Sequence, residues 1–483
     1  MNLAEELRWV DAVGTADLVR AREVTAREVV EATARRIEAA RALNAVTLDL
    51  VERALAAADG PLPDGPLAAA PFLLKDLGGT LAGVPETMGS RATRTWVPDF
   101  TAAAVQAYLD AGMLIAGKTN TPEWGNYCAT ESELLGVAVN PWDPQRSAGG
   151  SSGGSAVAVA AGVVPAASGG DATGSIRVPA SCCGVVGLKP ARGRVSLAPD
   201  GQAIDGLACV HALTRTVRDS AALLDAAARP VPGEPYGAAV AEGSFAHAAA
   251  TAPGRLRILL ATEPPFPGNV DPAVRTAVER VAAVLADLGH DVDEGSPRLA
   301  DPGAVRHAVA VVHGVANLAL HRFATEVLGR PPAPDELEPV TWEMVRFGEE
   351  TTGLQHADGV DTLHRETRSF AAAVAGYDVL LCPTLNVPPP PLGTLTQARG
   401  SVDAFFDAEF AVTGWTAVAN ITGWAAISLP LGHDNGLPIG VQLMAPGESA
   451  LLSVAAQLAQ AAPWADRRPP SGEPAASSRP PAA

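Results

Sequence analysis

One stretch, Gly149 to Ser196, constrains this chain more than any other; it reads GGSSGGSAVAVAAGVVPAASGGDATGSIRVPASCCGVVGLKPARGRVS. Gly149 to Ser155 make one glycine-framed serine turn, a run of small apolar side chains follows, and Asp171-Ala172-Thr173-Gly174-Ser175 make a second turn. Two hydroxyl-bearing turns therefore flank one buried element. Glycine opens φ > 0 and lets a ligand approach the backbone, so successive N–H groups can converge on an anion or a carbonyl oxygen. Those are the ingredients of an oxyanion hole beside a nucleophile.

The rest of the chain reads as α/β. Thr25 with Glu28 predicts a capping box, and Val29, Val30, Thr33, Ile37 and Ala40 recur at near-helical spacing behind it. Residues 1–60 are accordingly read as an N-terminal helical region packed over a sheet. Pro71 to Leu74 form an apolar tetrad that reads as a buried strand, with Lys75 at its end. Val217 to Ala228 reads as a helix, 230–253 as a low-complexity link, Leu256 to Ala261 as a strand, and the segment after Asn269 or Asp271 as a helix ending near Gly289. Helical patterns recur to about Ala375, Tyr377 to Cys382 is a strand, and the runs Ala426 to Leu431 and Leu437 to Met444 form a hairpin across Asp434-Asn435-Gly436. Residues 449–461 form an amphipathic helix, and 466–483, rich in Pro, Ser, Ala and Arg, are expected to be disordered. Strands alternating with helices predict a mixed, twisted central β-sheet covered by helices on both faces. The main unit is placed at 61–465, with a core at 70–225 and a helical, substrate-side insertion at about 265–375.

Composition removes several function classes. A formal net charge of −18 argues against nucleic acid or an anionic membrane surface as partner. The start, MNLAEELRWVDAVG, lacks the basic and apolar regions of a signal peptide, and the apolar run Ala156 to Ala167 is too short to span a bilayer. Five cysteines without C-x-x-C spacing read as reduced thiols of a cytoplasmic protein, with neither zinc nor disulfides implied.

Two motif matches mislead. Gly112 to Thr119, GMLIAGKT, satisfies the P-loop expression, but its four intervening residues are apolar and strand-like, whereas a P-loop has its strand before the first glycine. Gly149-Gly150-Ser151-Ser152-Gly153 satisfies the G-x-S-x-G nucleophile elbow, yet Asn140 to Ser147 before it is polar and carries two prolines instead of a hydrophobic strand. Nine histidines offer a Ser-His-Asp alternative, but none has a distinctive setting, and His307 and His313 lack an H-E-x-x-H frame, so no metal site is expected. Lys75 reads either as a surface lysine opening a loop or as a buried amine that must be paired or neutral.

From about residue 10 to 465 the chain resembles the amidase signature family. The resemblance is carried by Gly149 to Ser196, by Pro71-Phe72-Leu73-Leu74-Lys75-Asp76, Gly117-Lys118-Thr119-Asn120 and Asn140-Pro141-Trp142-Asp143, and by Asn420-Ile421-Thr422-Gly423 before Ile427-Ser428-Leu429-Pro430. It implies an amidase signature fold and a cofactor-free serine amidohydrolase acting on a small-molecule amide. Ser175 would be the nucleophile, Ser151 the bridging serine after a cis peptide bond, and Lys75 the base. The backbone N–H groups of Ala172, Thr173, Gly174 and Ser175 would form the oxyanion hole, with Asp171, Arg177 and Ser152 in support; a turn residue, a helix or surface charge and a cap are the respective structural alternatives. The family's frequent dimers imply a homodimer.

Two departures stand out. Thr173 occupies a position that is often glycine in the family, and Trp424 and Ala425 stand where Gln-Pro is usual, which implies an altered acyl pocket. The nucleophile turn without its middle glycine, Thr341 to Val345, and Arg177-Val178-Pro179-Ala180-Ser181 look most similar to the 6-aminohexanoate cyclic-dimer hydrolase branch. In that branch a cysteine helps to form the substrate site, and His313 aligns with it; Asn126 matches a substrate-contacting asparagine. Asn126, Cys128, His313 and Trp424 are thus the candidate substrate contacts. The competing readings are the amidase subunit of a tRNA-dependent amidotransferase and a catalytically inactive scaffold of the same fold.

Overall fold

The computed structural model describes residues 3–239, 243–397 and 399–470. Its centre is an 11-stranded sheet. From one edge the strands run Val46–Asp49, Leu114–Thr119, Pro71–Lys75, Ala166–Asp171, Cys209–Thr214 and Val186–Lys189. The order continues through Ala425–Asp434, Leu437–Ala445, Val379–Pro383, Arg257–Leu260 and Asp291–Glu294. Pairing is mixed: Pro71–Lys75 lies parallel to both neighbours, whereas Ala166–Asp171 meets Cys209–Thr214 antiparallel.

All five residues of Pro71–Lys75 are buried, as expected of a strand covered on both faces. Phe72 and Leu74 point into one apolar cluster and Leu73 into the other, so the two-residue strand period divides the core into two layers. Ala425–Asp434 and Leu437–Ala445 form the expected hairpin. Asn435 (φ 48°) and Gly436 (φ 84°) supply the two positive φ angles that a tight two-residue turn requires.

Between the serine turns, Gly153–Ala160 forms a helix whose eight residues are all buried. Small side chains let it approach the sheet closely. Gly112 to Thr119 is not a phosphate loop, because its second half is the buried strand Leu114–Thr119. Lys118 is fully buried there and ion-pairs with Asp76 at 3.3 Å and Glu86 at 3.2 Å.

The N-terminal region is not wholly helical. Its capping box is present at Thr25 and Glu28, but Val46–Asp49 is a strand that pairs antiparallel with Leu114–Thr119 and closes one sheet edge. Four residues are too few for helical periodicity to distinguish them from a helix end. The 230–253 link likewise contains a helix, Phe245–Ala250, capped by Ser244. The span read as a helical insertion holds the strand Asp291–Glu294 as well as the helices Pro272–Asp287, Pro302–Leu328, Pro339–Glu350 and Gly353–Ala373.

Pro302–Leu328 is long and apolar enough to cross a membrane by length and composition, although Arg306, His307 and His313 interrupt its apolar residues. Half of its most apolar window is buried, and it packs against Pro339–Glu350 and Gly353–Ala373. At the C-terminus, 466–470 contact the body: Arg467 Nη1 donates to Pro430 O at 3.3 Å and the Arg468 guanidinium lies 4.5 Å from the Trp9 ring centre. The remainder of the tail expected to be disordered, 471–483, lies outside the described residues.

Candidate active site

The polypeptide places Lys75 at the C-terminal end of a fully buried strand and Ser151 just before the buried helix Gly153–Ala160. Their side chains meet: Lys75 Nζ donates to Ser151 Oγ at 2.6 Å. Burial lowers the Lys75 pKa to about 7, and the charge of Asp171 resists only part of that shift. An amine with this pKa is substantially neutral at physiological pH. The Gly150–Ser151 peptide bond is cis. A Cβ on Gly150 would stand 2.4 Å from Ala129 O, so only glycine fits where this turn presses against the preceding loop.

The second turn comes to the same place. Ser152 N donates to Ser175 O at 3.1 Å, while Ser152 Oγ contacts both N and O of Gly170 at 3.3 Å. Ser152 precedes a helix, but its side chain makes no capping bond; it ties the two turns together instead. Ser175 is 8% exposed, and its Oγ makes no hydrogen bond with a described residue. The N–H groups of Ala172, Thr173, Gly174 and Ser175 likewise donate to no described residue. Free N–H groups on consecutive residues form a concavity suited to an oxyanion. Gly174 has φ 145° and its Cβ position lies 2.6 Å from Thr416 Oγ1, whereas Thr173 is absent from the positive-φ residues. The β-branched residue therefore sits at ordinary φ, and the backbone demand falls on the glycine that is present.

Asp171 and Arg177 lock this turn from beneath. Arg177 Nε and Nη2 donate to the two Asp171 oxygens at 2.9 and 2.8 Å, with both side chains fully buried. Burial pushes the Asp171 carboxyl up, but the Arg177 charge and its hydrogen bonds outweigh that, and its pKa falls to about 2. Arg177 also donates to Thr416 O, Gln442 Oε1 and Asn420 Oδ1. Asn420 Nδ2 returns bonds to Asp171 O and Oδ1, and Thr416 Oγ1 donates to Thr173 O at 2.6 Å. Arg177 is thus neither a surface charge nor a plain helix residue. Sequence reasoning assigned no role to Asn420, Gln442 or Thr416; the available signal was one carboxamide inside the apolar run Ala417 to Ile421.

The candidate substrate residues separate into three settings. A Cβ at Gly125 would lie 3.1 Å from Ser151 Oγ, which brings Asn126 next to the serine turn. Asn126 Nδ2 donates to Asn317 Oδ1 (2.9 Å) and Thr341 Oγ1 (3.1 Å), and Asn317 Nδ2 donates to His313 O at 3.0 Å. A chain of contacts therefore joins Asn126 to His313. His313 Nδ1 lies 2.8 Å from Val309 O, and burial lowers its pKa to about 4, so the ring is neutral at pH 7 and keeps Nε2 as an acceptor. Cys128 is buried against Glu409, whose Oε2 accepts the Cys128 N–H at 3.2 Å. Trp424 is edge-on to Phe370 with ring centres 6.1 Å apart, and the same Phe370 ring lies 6.4 Å from Trp415, the neighbour of Thr416. Among the described residues no group of three or more His, Cys, Asp or Glu could hold a metal ion.

The chain is similar to known proteins over most of its length. A model of the amidase family matches residues 28–450. The 6-aminohexanoate-cyclic-dimer hydrolase of Paenarthrobacter ureafaciens is 40% identical over 482 residues, covering 95% of this chain and 96% of that protein. The structure of a 6-aminohexanoate cyclic dimer hydrolase complexed with substrate matches with a TM-score of 0.91 at 39% identity, over 96% of this chain and 99% of the other. A bacterial aryl acylamidase of the amidase signature family matches with a TM-score of 0.86 at 25% identity, over 95% and 97% of the two chains. The family match spans Lys75 and both serine turns, and the chain belongs to the amidase family, hydrolases of carbon–nitrogen amide bonds.

Proposed function

We propose that the chain cleaves its amide substrate through an acyl-enzyme on Ser175, with Ser151 and Lys75 as the proton relay. The observation that carries this reading is the buried 2.6 Å contact between Lys75 Nζ and Ser151 Oγ, made by an amine whose pKa lies near 7. A base titrating near the working pH combines a large neutral fraction with a useful driving force. Neutral Lys75 takes the Ser151 proton while Ser151 takes that of Ser175. Ser175 Oγ forms its bond to the carbonyl carbon, and the C=O π pair moves onto oxygen beneath the N–H groups of Ala172, Thr173 and Gly174. The proton returns through Ser151 to the leaving nitrogen, the C–N bond breaks and the amine departs. Water then attacks the ester by the same relay, releasing the acid and restoring Ser175. Ser175 Oγ makes no hydrogen bond with a described residue, and catalytic hydrogen bonds of this kind commonly tighten only around substrate. Asp171, Arg177 and Ser152 act as positioning residues, and no cofactor takes part.

The substrate is a small secondary amide, linear or cyclic. Similarity over nearly the whole chain to 6-aminohexanoate-cyclic-dimer hydrolases supports this class. Asn126 and His313, joined through Asn317, form one wall of the acyl pocket. The enzyme acts in the cytoplasm as a homodimer; five buried free cysteines support the reducing location.

The test is hydrolysis by purified protein of a panel containing 6-aminohexanoate cyclic dimer, an anilide and a primary alkyl amide, without glutamine, ATP or a partner. Turnover of any member supports the hydrolase. No turnover of the panel, with glutamine hydrolysed once an ammonia-accepting partner subunit is added, would establish the amidotransferase-subunit alternative, and no turnover under either condition the inactive scaffold. The native mass of the same sample tests the dimer.

A further inference from the structure

The Asn126 carboxamide has spent both of its donors. Nδ2 gives one hydrogen to Asn317 Oδ1 at 2.9 Å and the other to Thr341 Oγ1 at 3.1 Å, while Oδ1 accepts a single bond, from Asn317 Nδ2 at 3.1 Å. A carbonyl oxygen has two lone pairs, so the one capacity left to this side chain is that of an acceptor. The orientation is fixed, because an acceptor stands at each end of the network. Asn317 Nδ2 donates to His313 O at 3.0 Å, which turns Asn317 Oδ1 toward the Asn126 amide nitrogen. At the other end Thr341 takes a hydrogen bond from Asn126, and its hydroxyl donates to the Glu123 carboxyl.

Glu123 ties both ends of that last contact together. Its carboxyl also accepts from Ser90 Oγ at 2.6 Å and from the N–H of Glu338 at 2.7 Å, the residue that caps Pro339–Glu350 and so sets the first turn that carries Thr341. The Glu123 backbone O accepts the Asn126 N–H at 3.0 Å. Burial pushes the Glu123 carboxyl up to about 7, with its hydrogen bonds resisting, so above that pH it is ionised and accepts only. Glu123, Asn317 and Thr341 are at most 3% exposed, whereas Asn126 is half-buried. Three buried groups thus hold one amide that keeps an accessible face.

That amide stands beside the relay. Gly125, the residue before it, packs against Ser151 Oγ, which places Asn126 at the end of its wall nearest the proton donor of the leaving nitrogen. To receive that proton the nitrogen turns its lone pair toward Ser151, and its N–H then needs a different partner. We propose that Asn317, Thr341 and Glu123 are positioning residues that hold Asn126 Oδ1 as the acceptor for the N–H of the scissile amide. This rests on the acyl-enzyme reading above and deepens it, because the network serves an amide and is idle with an ester, which has no N–H.

The experiment measures kcat/KM for hexanoyl p-nitroanilide and p-nitrophenyl hexanoate at pH 8, where Lys75 is largely neutral and Glu123 ionised. The two substrates form the same acyl-enzyme, so their ratio reads the leaving-group side alone. Thr341→Val, Asn317→Leu and Asn126→Ala are each expected to lower the anilide-to-ester ratio about tenfold, the scale of one well-formed hydrogen bond in a buried site. Thr341→Ser keeps the hydroxyl and should keep the wild-type ratio. An unchanged ratio in the folded variants, or an equal fall on both substrates, overturns the proposal and leaves the network as a brace of the wall. Should the Thr341 or Asn317 variant fail to fold, the half-buried Asn126→Ala still decides. Ser175→Ala is measured alongside: turnover of both substrates in that variant would refute the acyl-enzyme reading whatever the ratio, so the two failures are distinguishable.

Discussion

Replacing Lys75 with methionine removes the buried amine while keeping an unbranched stem of similar length, and the structure sets the size and sign of the response. In the folded protein burial lowers the Lys75 pKa from its ordinary 10.5 to about 7. Between those values the unfolded chain holds a proton that the folded chain has released. Wild-type stability therefore rises with pH across this window, the contribution opposing folding is largest below pH 7, and it vanishes above 10.5. One proton gives at most about 1.4 kcal/mol per pH unit, and with these two pKa values the wild type gains about 2 kcal/mol between pH 7 and pH 9 relative to Lys75→Met. Other groups, the buried cysteines included, are common to both proteins and cancel in the difference. Urea unfolding of the two proteins at pH 6, 7, 8 and 9 measures it. Lys75→Met should also be inactive, and wild-type kcat/KM should rise with pH through about 7 to a plateau. Parallel stability curves for wild type and variant would refute the claim that Lys75 is held neutral by burial.

Two substitutions examine the nucleophile turn. Arg177→Met strands Asp171 in the core without its bidentate partner and should cost about 3–5 kcal/mol, read as a fall in the unfolding midpoint, with loss of activity in any protein that still folds. Gly174→Ala forces a Cβ to 2.6 Å from Thr416 Oγ1 and 2.8 Å from Val178 Cγ2 at φ 145°. It should cost about 1–3 kcal/mol and lower kcat about 100-fold by displacing Ser175, with the fold retained by circular dichroism.

Much of the architecture was legible because the signals were local. The hairpin announced itself through Asp434-Asn435-Gly436, the capping box through Thr25 and Glu28, and the two serine turns through their glycines. Lys75 was legible as a dilemma, a charge at the end of an apolar strand, and the fold resolves it by burial against Ser151. What stayed hidden depended on contacts between distant residues. Arg177 could be read as a surface charge because its partners Gln442 and Asn420 come from more than 240 positions away. Lys118 sat in a misleading phosphate-loop pattern, and only the fold shows it filling a buried site between Asp76 and Glu86. The edge strand Val46–Asp49 was too short to carry a period of its own. Glu409 did leave a trace, an acidic residue in register with Phe405, Phe406 and Phe410, but a single polar residue on an apolar stripe has no assigned chemistry until its neighbours are known.

The central claim is that Ser175 is a nucleophile assembled beside free N–H donors and a neutral lysine. The most direct measurement is the intact mass of the protein after exposure to a serine-reactive fluorophosphonate, with peptide mapping of the adduct, in wild type and in Ser175→Ala. The expected result is a single adduct on Ser175 whose rate of formation rises with pH through about 7, and no adduct in Ser175→Ala. Folded wild-type protein that stays unlabelled, or labels equally after Ser175→Ala, would contradict the account.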